Sequence, residues 1–472
     1  MKNPFSALLA AAVLMGTAAA SFGQADPTVV AKIVDEGKNH SQIMRHLDHL
    51  THRIGHRLTA SPQLAKAYEW TQKRFKEFGC TNVHLEKWGE FPLGFDRGQR
   101  QIGRMTSPEK LDFEFTTPSW TAGTKGAVKG FAIARPTTPE EFAAVKDKLK
   151  GAWLVSKTSP PRVPRGQAEP APSEVEQLIA KAGIAGSVYG SRNDLTITSG
   201  RYTTEWEKWP TDIRVTVRKK DVDAIFAHLD KKEPVELEFN MDNKFTKGPI
   251  SNYNVIAEIK GTEKPDEVVI ISGHLDSWDG PGSQGALDNG TGTVVALEAA
   301  RILGKLKVQP KRTIRFILWT GEEQGLFGST FYVKDHKAEM DKISAVFVDD
   351  GGTNYEGGVS CTEEMKPMLE EAFAPAMKAF PEFPMKISIV NKIPRGGGSD
   401  HASFNAVGVP GFFWFETGKS DYNFVHHTQH DRFEKAIPEY LVQSGTNSAA
   451  TAYIVACAPT LLPRELPAKT DK

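Results

Sequence analysis

The chain has 472 residues, enough for two or three domains and a large core, and its 58 Lys and Arg balance 58 Asp and Glu. A formal net charge of zero gives no global field to draw in nucleic acid or an anionic membrane, so neither is expected as a partner. The three cysteines, Cys80, Cys361 and Cys457, lack the paired spacing of a structural zinc site and are expected as buried, inert thiols.

At the N-terminus, Lys2, the apolar run SALLAAAVLMGTAAA and the small residues from Ala18 to Ala25 form an export signal over residues 1–25. The apolar run is short for a span, so no stable membrane anchor is expected and the mature chain is read as periplasmic or secreted. From Asp26 to Pro92 the pattern is helical, with Ser61 before Pro62 as an N-cap, followed by strand-like TNVHLEKW. His40, His46, His49, His52 and His56 crowd this region but share no helical face, so they are expected as solvated helix and loop residues rather than a metal store. From Gly94 to Asn252 the texture changes. Pro- and Gly-rich loops interrupt strand-like AVKGFAIA, AWLVSK and DIRVTVRK and helix-like SEVEQLIAKAGIAG, which reads as an inserted, mostly β unit that shapes a cleft.

Val268 to Glu323 carries the chemistry. Two apolar runs, Val268 to Ser272 and Thr313 to Trp319, have the texture of buried parallel strands joined by a helix. In a strand, residues two apart face the same way, so His274 and Asp276 can point together into a crevice beyond the strand's carboxyl end, as a ligand and its orienter. Asp288 stands just before the apolar-periodic TVVALEAARIL helix, where it could equally be an N-cap. Glu322 and Glu323 follow the second strand and, being adjacent, can serve different purposes. Taken singly, each of these is ordinary; together, in order within one βαβ unit, they indicate a metal site. Further on, ISAVFVDDGGT ends a third apolar strand in Asp349 and Asp350. PRGGGSDHASF brings Asp400 and His401, and DYNFVHHTQHD brings His426, His427 and His430.

With GHLDSWDGPGSQGALDNGTG, WTGEEQGLFGS, VDDGGT, GSDHASF and FVHHT in this order, the sequence resembles the co-catalytic zinc exopeptidases. IGHRLTASPQL also looks like the family's N-terminal segment, with His56 and Ala60 where Pro and Gly are common. The resemblance implies an α/β fold, a mixed, largely parallel twisted sheet flanked by helices, with a catalytic domain formed by residues 26–93 and 253–472. The insertion, 94–252, resembles a protease-associated domain. The resemblance further implies two Zn2+ ions bridged by Asp288, one held by His274 and Asp349, the other by Glu323 and His427. Glu322 would be the general base, Asp276 the orienter of His274, and Asp400 an outer residue. Asp349 rather than Asp350 follows from D-x-G spacing. A cis peptide at Asp288–Asn289 is also implied.

The chemistry suits these residue types. Two metals can activate water and stabilise the charge of a tetrahedral intermediate, imidazole and carboxylate ligands suit zinc, and a nearby unligated Glu can move the proton. The expected function is hydrolysis of short peptides by an aminopeptidase or dipeptidase, with a carboxypeptidase as alternative. A glutaminyl-cyclase-like or non-catalytic relative is less consistent with the full set. The acidic motif loops, with Arg395 the clearest nearby cation, favour recognition of a free substrate amine.

Overall fold

The computed structural model describes residues 25–160 and 171–464; the export signal up to residue 24 and most of the Ser159 to Ser173 loop lie outside the described residues. Six strands form the main sheet: β1 (Thr81–Asp96), β2 (Lys244–Ile259), β3 (Lys264–His274), β4 (Arg312–Trp319), β5 (Ile343–Val348) and β6 (Gly411–Phe413). Their order is β1-β2-β4-β3-β5-β6. The β1/β2 and β2/β4 pairs are antiparallel, and β4/β3, β3/β5 and β5/β6 are parallel. This is the mixed α/β sheet the sequence implies.

The continuous apolar runs have a physical reason: both faces of the parallel strands are covered. Val269, Ile271, Phe316, Leu318, Ala345 and Phe347 share one core with helices α1 (Gly290–Lys305) and α2 (Pro438–Cys457). The alternate residues Val268, Ile270, Ile317, Trp319, Val346 and Val348 pack with Tyr332 and Val333 on the other face. Because β3 has β4 on one side and β5 on the other, the chain reverses direction across the sheet at β3. In open α/β sheets the crevice at the carboxyl ends of such strands is where ligands bind.

A second, eight-stranded sheet is built from strands between Gln101 and Met241. It has its own core around Trp153, Val188, Val215, Leu237 and Phe239, and helices Pro139–Val145, Glu174–Lys181 and Lys219–Leu229. The long β1/β2 ribbon leads into this unit and out of it.

Ser61 caps helix Pro62–Glu77 by accepting from the Leu64 N–H. The three cysteines are free and buried, and burial pushes the Cys80 thiol up to about 12. Of the N-terminal histidines, His40 and His52 are exposed as expected, but His46 and His49 differ from the solvated residues expected. His46 is buried, edge-on to Trp70 and Phe78, and burial lowers its pKa to about 4; His49 stacks on Trp70. They are core and packing groups.

His336 lies between Glu86 (Nε2 to Oε1, 2.5 Å) and Glu339 (Nδ1 to Oε1, 3.0 Å), stacked on Tyr332 near Arg315. The Glu86 hydrogen bond raises its pKa to about 9, against partial desolvation. A raised folded-state pKa stabilises fully below the unfolded value near 6.5, and that stability is lost as pH rises through about 9. Allowing for solvent screening, about 2 kcal/mol is at stake. The unfolding free energy is therefore expected to fall between pH 7 and pH 10 by about that much more in the wild type than in His336→Gln; parallel pH profiles would count against it.

Candidate metal centre and cleft

The carboxyl ends of β3, β4 and β5 deliver the functional side chains to one place. His274, the last residue of β3, is wholly buried. Its Nδ1–H donates to the Asp276 carbonyl at 3.0 Å, with the Asp276 carboxylate at 3.6 Å and itself held by the Thr59 hydroxyl at 2.8 Å. That leaves the Nε2 lone pair facing the crevice. Nε2 lies 3.4 Å from Asp288 Oδ1, 3.0 Å from Asp350 Oδ1 and 3.9 Å from Glu322 Oε2.

On the opposite side, His427 Nε2 lies 3.2 Å from Asp288 Oδ2 and 2.9 Å from Glu323 Oε2. Asp288 therefore presents one oxygen to each imidazole. It is free to do so because the cap of α1 is Asn289, whose side chain accepts from the Gly292 N–H at 2.8 Å and donates to the Asp349 carbonyl at 2.7 Å. Gly292 allows this approach, since a Cβ there would meet that carbonyl oxygen at 2.0 Å. The Asp288–Asn289 peptide is cis, as the resemblance implies.

One expected placement differs. The geometry brings Asp350, not Asp349, to His274. In the parallel β3/β5 register Ser272 pairs with Val348, so two residues further on His274 and Asp350 continue the same face. Asp349 follows Phe347 to the other side, towards Glu356, which is held by Asn447 and Ser448 of α2. Burial, with Asp350 adjacent, pushes the Asp349 carboxyl up to about 8.

The donors form two half-sets that share Asp288: His274 with Asp350, and His427 with Glu323. Nitrogen and oxygen donors of these kinds suit zinc. The electrostatics also call for cations. Burial opposes charging His427, yet Glu323 and Asp288 raise its pKa to about 11, while burial and Asp288 push Glu323 up to about 7. Asp288 Oδ2 is buried and accepts no hydrogen bond. Glu322 sits beside both half-sets, and burial, then Asp350 and Asp400, raise its pKa well above the usual carboxylate range despite His274. Asp400 is buried nearby and pushed up to about 7 by burial. The His426 ring lies tilted with its centroid 3.7 Å from that of His427 and stays half-exposed, 3.8 Å from Asp288 Oδ2.

The cleft above this cluster is lined by Trp278, His401, Tyr422 and Gly397 of the main unit and by Tyr189, Arg201, Tyr202 and Arg214 of the inserted unit. Arg395 is not among its walls; it borders a separate groove with Lys392 and Arg464. Sequence reasoning missed Arg201 and Arg214, which no local motif marks, and Arg57. The Arg57 guanidinium, inside the quoted IGHRLT run, donates to the carbonyls of Leu275, Gly55, Gln284 and Gly285.

An α/β sheet with paired imidazole and carboxylate donors at its carboxyl edge has the makings of a metal-dependent hydrolase. Residues 254–452 match the model of Peptidase family M28. Carboxypeptidase Q of Xenopus laevis is 28% identical over 446 residues, covering 92% of this chain and 91% of that protein. The mouse (Mus musculus) carboxypeptidase Q is also 28% identical, over 91% and 88%. A Peptidase M28 precursor from Shewanella amazonensis superposes with a TM-score of 0.65, at 27% identity, over 94% of this chain and 99% of that one. BSAP, a zinc aminopeptidase from Bacillus subtilis, shares the fold at 22% identity and a TM-score of 0.54, over 87% and 93%. These likenesses fit a co-catalytic zinc exopeptidase family and support a metallopeptidase. Among the described residues, no helix is long and apolar enough to cross a membrane.

Proposed function

We propose that the protein is a two-zinc exopeptidase of short peptides. The observation that carries this reading is Asp288 offering one carboxylate oxygen to each of His274 and His427. Asp288, His274 and Asp350 would hold one zinc; Asp288, His427 and Glu323 the other. Two zinc ions so held supply polarisation of the scissile carbonyl and a lowered pKa for water. Glu322 takes a proton from the attacking water and returns it to the leaving amine. Thr59 and Asp276 keep His274 turned with Nε2 towards the crevice. Residues 94–252 serve as an inserted unit that walls the cleft, and residues 1–25 direct export.

The sequence alone favoured an amine-reading enzyme, because the motif loops are rich in Asp and Glu and only Arg395 stood out as a nearby cation. With Arg395 outside the cleft and Arg201 and Arg214 on its wall, the balance moves towards a substrate with a free carboxylate, a dipeptidase or carboxypeptidase. Guanidinium groups hold carboxylates by charge-assisted, bidentate hydrogen bonds, each worth about 1.5–3 kcal/mol. One dipeptide, its N-acetyl form and its C-amide test this. Amidation is expected to lower kcat/KM by about tenfold or more, and N-acetylation by less; the reverse order restores the aminopeptidase reading.

A further inference from the structure

His427 is in the left-handed region, with φ of 61°. His visits that region more readily than most residues, but such a backbone at a functional site persists only where its surroundings enforce it. Part of that enforcement comes from the inserted unit. The Thr198 N–H donates to the His427 carbonyl at 2.9 Å. Two residues along, Gln429 is buried and makes four hydrogen bonds, all to the insertion. Its Oε1 accepts from the Thr196 N–H at 2.9 Å and the Thr196 hydroxyl at 3.1 Å; its Nε2 donates to Glu114 Oε2 and to the Asp194 carbonyl, each at 2.9 Å. Thr196 and Thr198 are themselves buried, and the Thr198 hydroxyl is bonded to Thr116 at 2.7 Å. Two stretches of the insertion, around Glu114 and from Asp194 to Thr198, thus grip the loop that carries His427.

We propose that Gln429 is a positioning residue through which the inserted unit sets His427 for metal binding, so that the zinc site on the His427 side is completed by the insertion while the His274 side is not. The inference rests on His427 being a zinc ligand. It follows from reach: His274, Asp350 and Glu322 stand on or just beyond β3, β4 and β5, whereas His427 stands on a loop between short elements whose partners, Thr198 for His427 and Thr196, Glu114 and Asp194 for Gln429, belong to the other unit.

The test is Zn2+ titration of the metal-free, full-length protein against a chromogenic chelator. Gln429→Glu keeps the acceptor for Thr196 but sets a second carboxylate against Glu114. It is expected to weaken one of two zinc equivalents by about tenfold or more, the range seen when a ligand's supporting hydrogen bond is lost, and to leave the other within about threefold. The exchange Glu114→Gln with Gln429→Glu restores a donor to that pair and is expected to recover the lost affinity. A role in folding alone would lower the unfolding temperature of the metal-free protein and leave both zinc affinities at wild-type values, which would overturn the proposal. His427→Ala separates the two ideas. If it weakens one equivalent while Gln429→Glu weakens none, the positioning role fails and the ligand reading stands; if His427→Ala weakens none, the ligand reading fails and the positioning role with it. Thr196→Val, which removes only a hydroxyl, serves if Gln429→Glu does not fold, with a loss of about threefold expected and an unchanged affinity counting against the proposal.

Discussion

Glu322→Gln is expected to retain zinc and to lose about 10²–10⁴-fold in turnover, the usual contribution of a positioned acid–base group. The carboxylate is not needed to hold the donor cluster together: Asp288 is already shared between His274 and His427, and Asp350 and Glu323 complete the two sides. Gln is nearly isosteric, so the cleft keeps its shape, but the amide cannot accept and return a proton. Asp288→Ala is expected to behave differently, losing zinc along with activity, because both half-sets depend on that one carboxylate. Metal content and turnover measured side by side distinguish the two. A loss of less than tenfold in Glu322→Gln at full zinc occupancy would count against Glu322 as the general base.

The central parallel strands of the main sheet were legible because burial on both faces makes them nearly continuous apolar runs. Val268 to Ser272 and Thr313 to Trp319 fall inside β3 and β4, and a carboxylate or imidazole following so apolar a run stands out. The inserted unit was harder to read. Its strand at Gln101–Ser107 alternates between buried and exposed positions from Ile102 to Met105 and pairs with Glu236–Met241 across more than a hundred intervening residues, a relation that no local window contains.

The choice between Asp349 and Asp350 was available in principle. Counting in twos from the apolar face of β5 leads to Asp350, but only once the register of β5 on β3 is known, and spacing to the following glycine pointed the other way. Arg201, Arg214 and Gln429 illustrate a different limit. Their partners or the cleft they face belong to the other unit, so nothing beside them in sequence marks their place.

Arg57→Met is expected to destabilise the protein by about 3–5 kcal/mol, a large part of a typical folding free energy of 5–15 kcal/mol. The guanidinium is wholly buried. Its Nε donates to Leu275 at 2.7 Å, Nη1 to Gly55 at 3.0 Å and Gln284 at 3.2 Å, and Nη2 to Gly285 at 2.8 Å. Removing it orphans buried carbonyls at about 1–3 kcal/mol each, less whatever water recovers. It also leaves the surrounding Asp431, Asp276, Asp288 and Glu323 without a fixed cation; burial lowers the Arg57 pKa only to about 10, so the group stays charged at neutral pH. Arg57→Lys keeps a charge, but a single ammonium cannot span four carbonyls in three chain segments, so it is expected to recover less than half of the loss. Because the segments it ties run directly into His274 and Asp288, zinc retention against a chelator should fall together with stability. Denaturant unfolding of the two variants in excess zinc reads the first effect and chelator competition the second; wild-type values for Arg57→Met in both would mean that solvent satisfies these carbonyls and that Arg57 does not organise the loops.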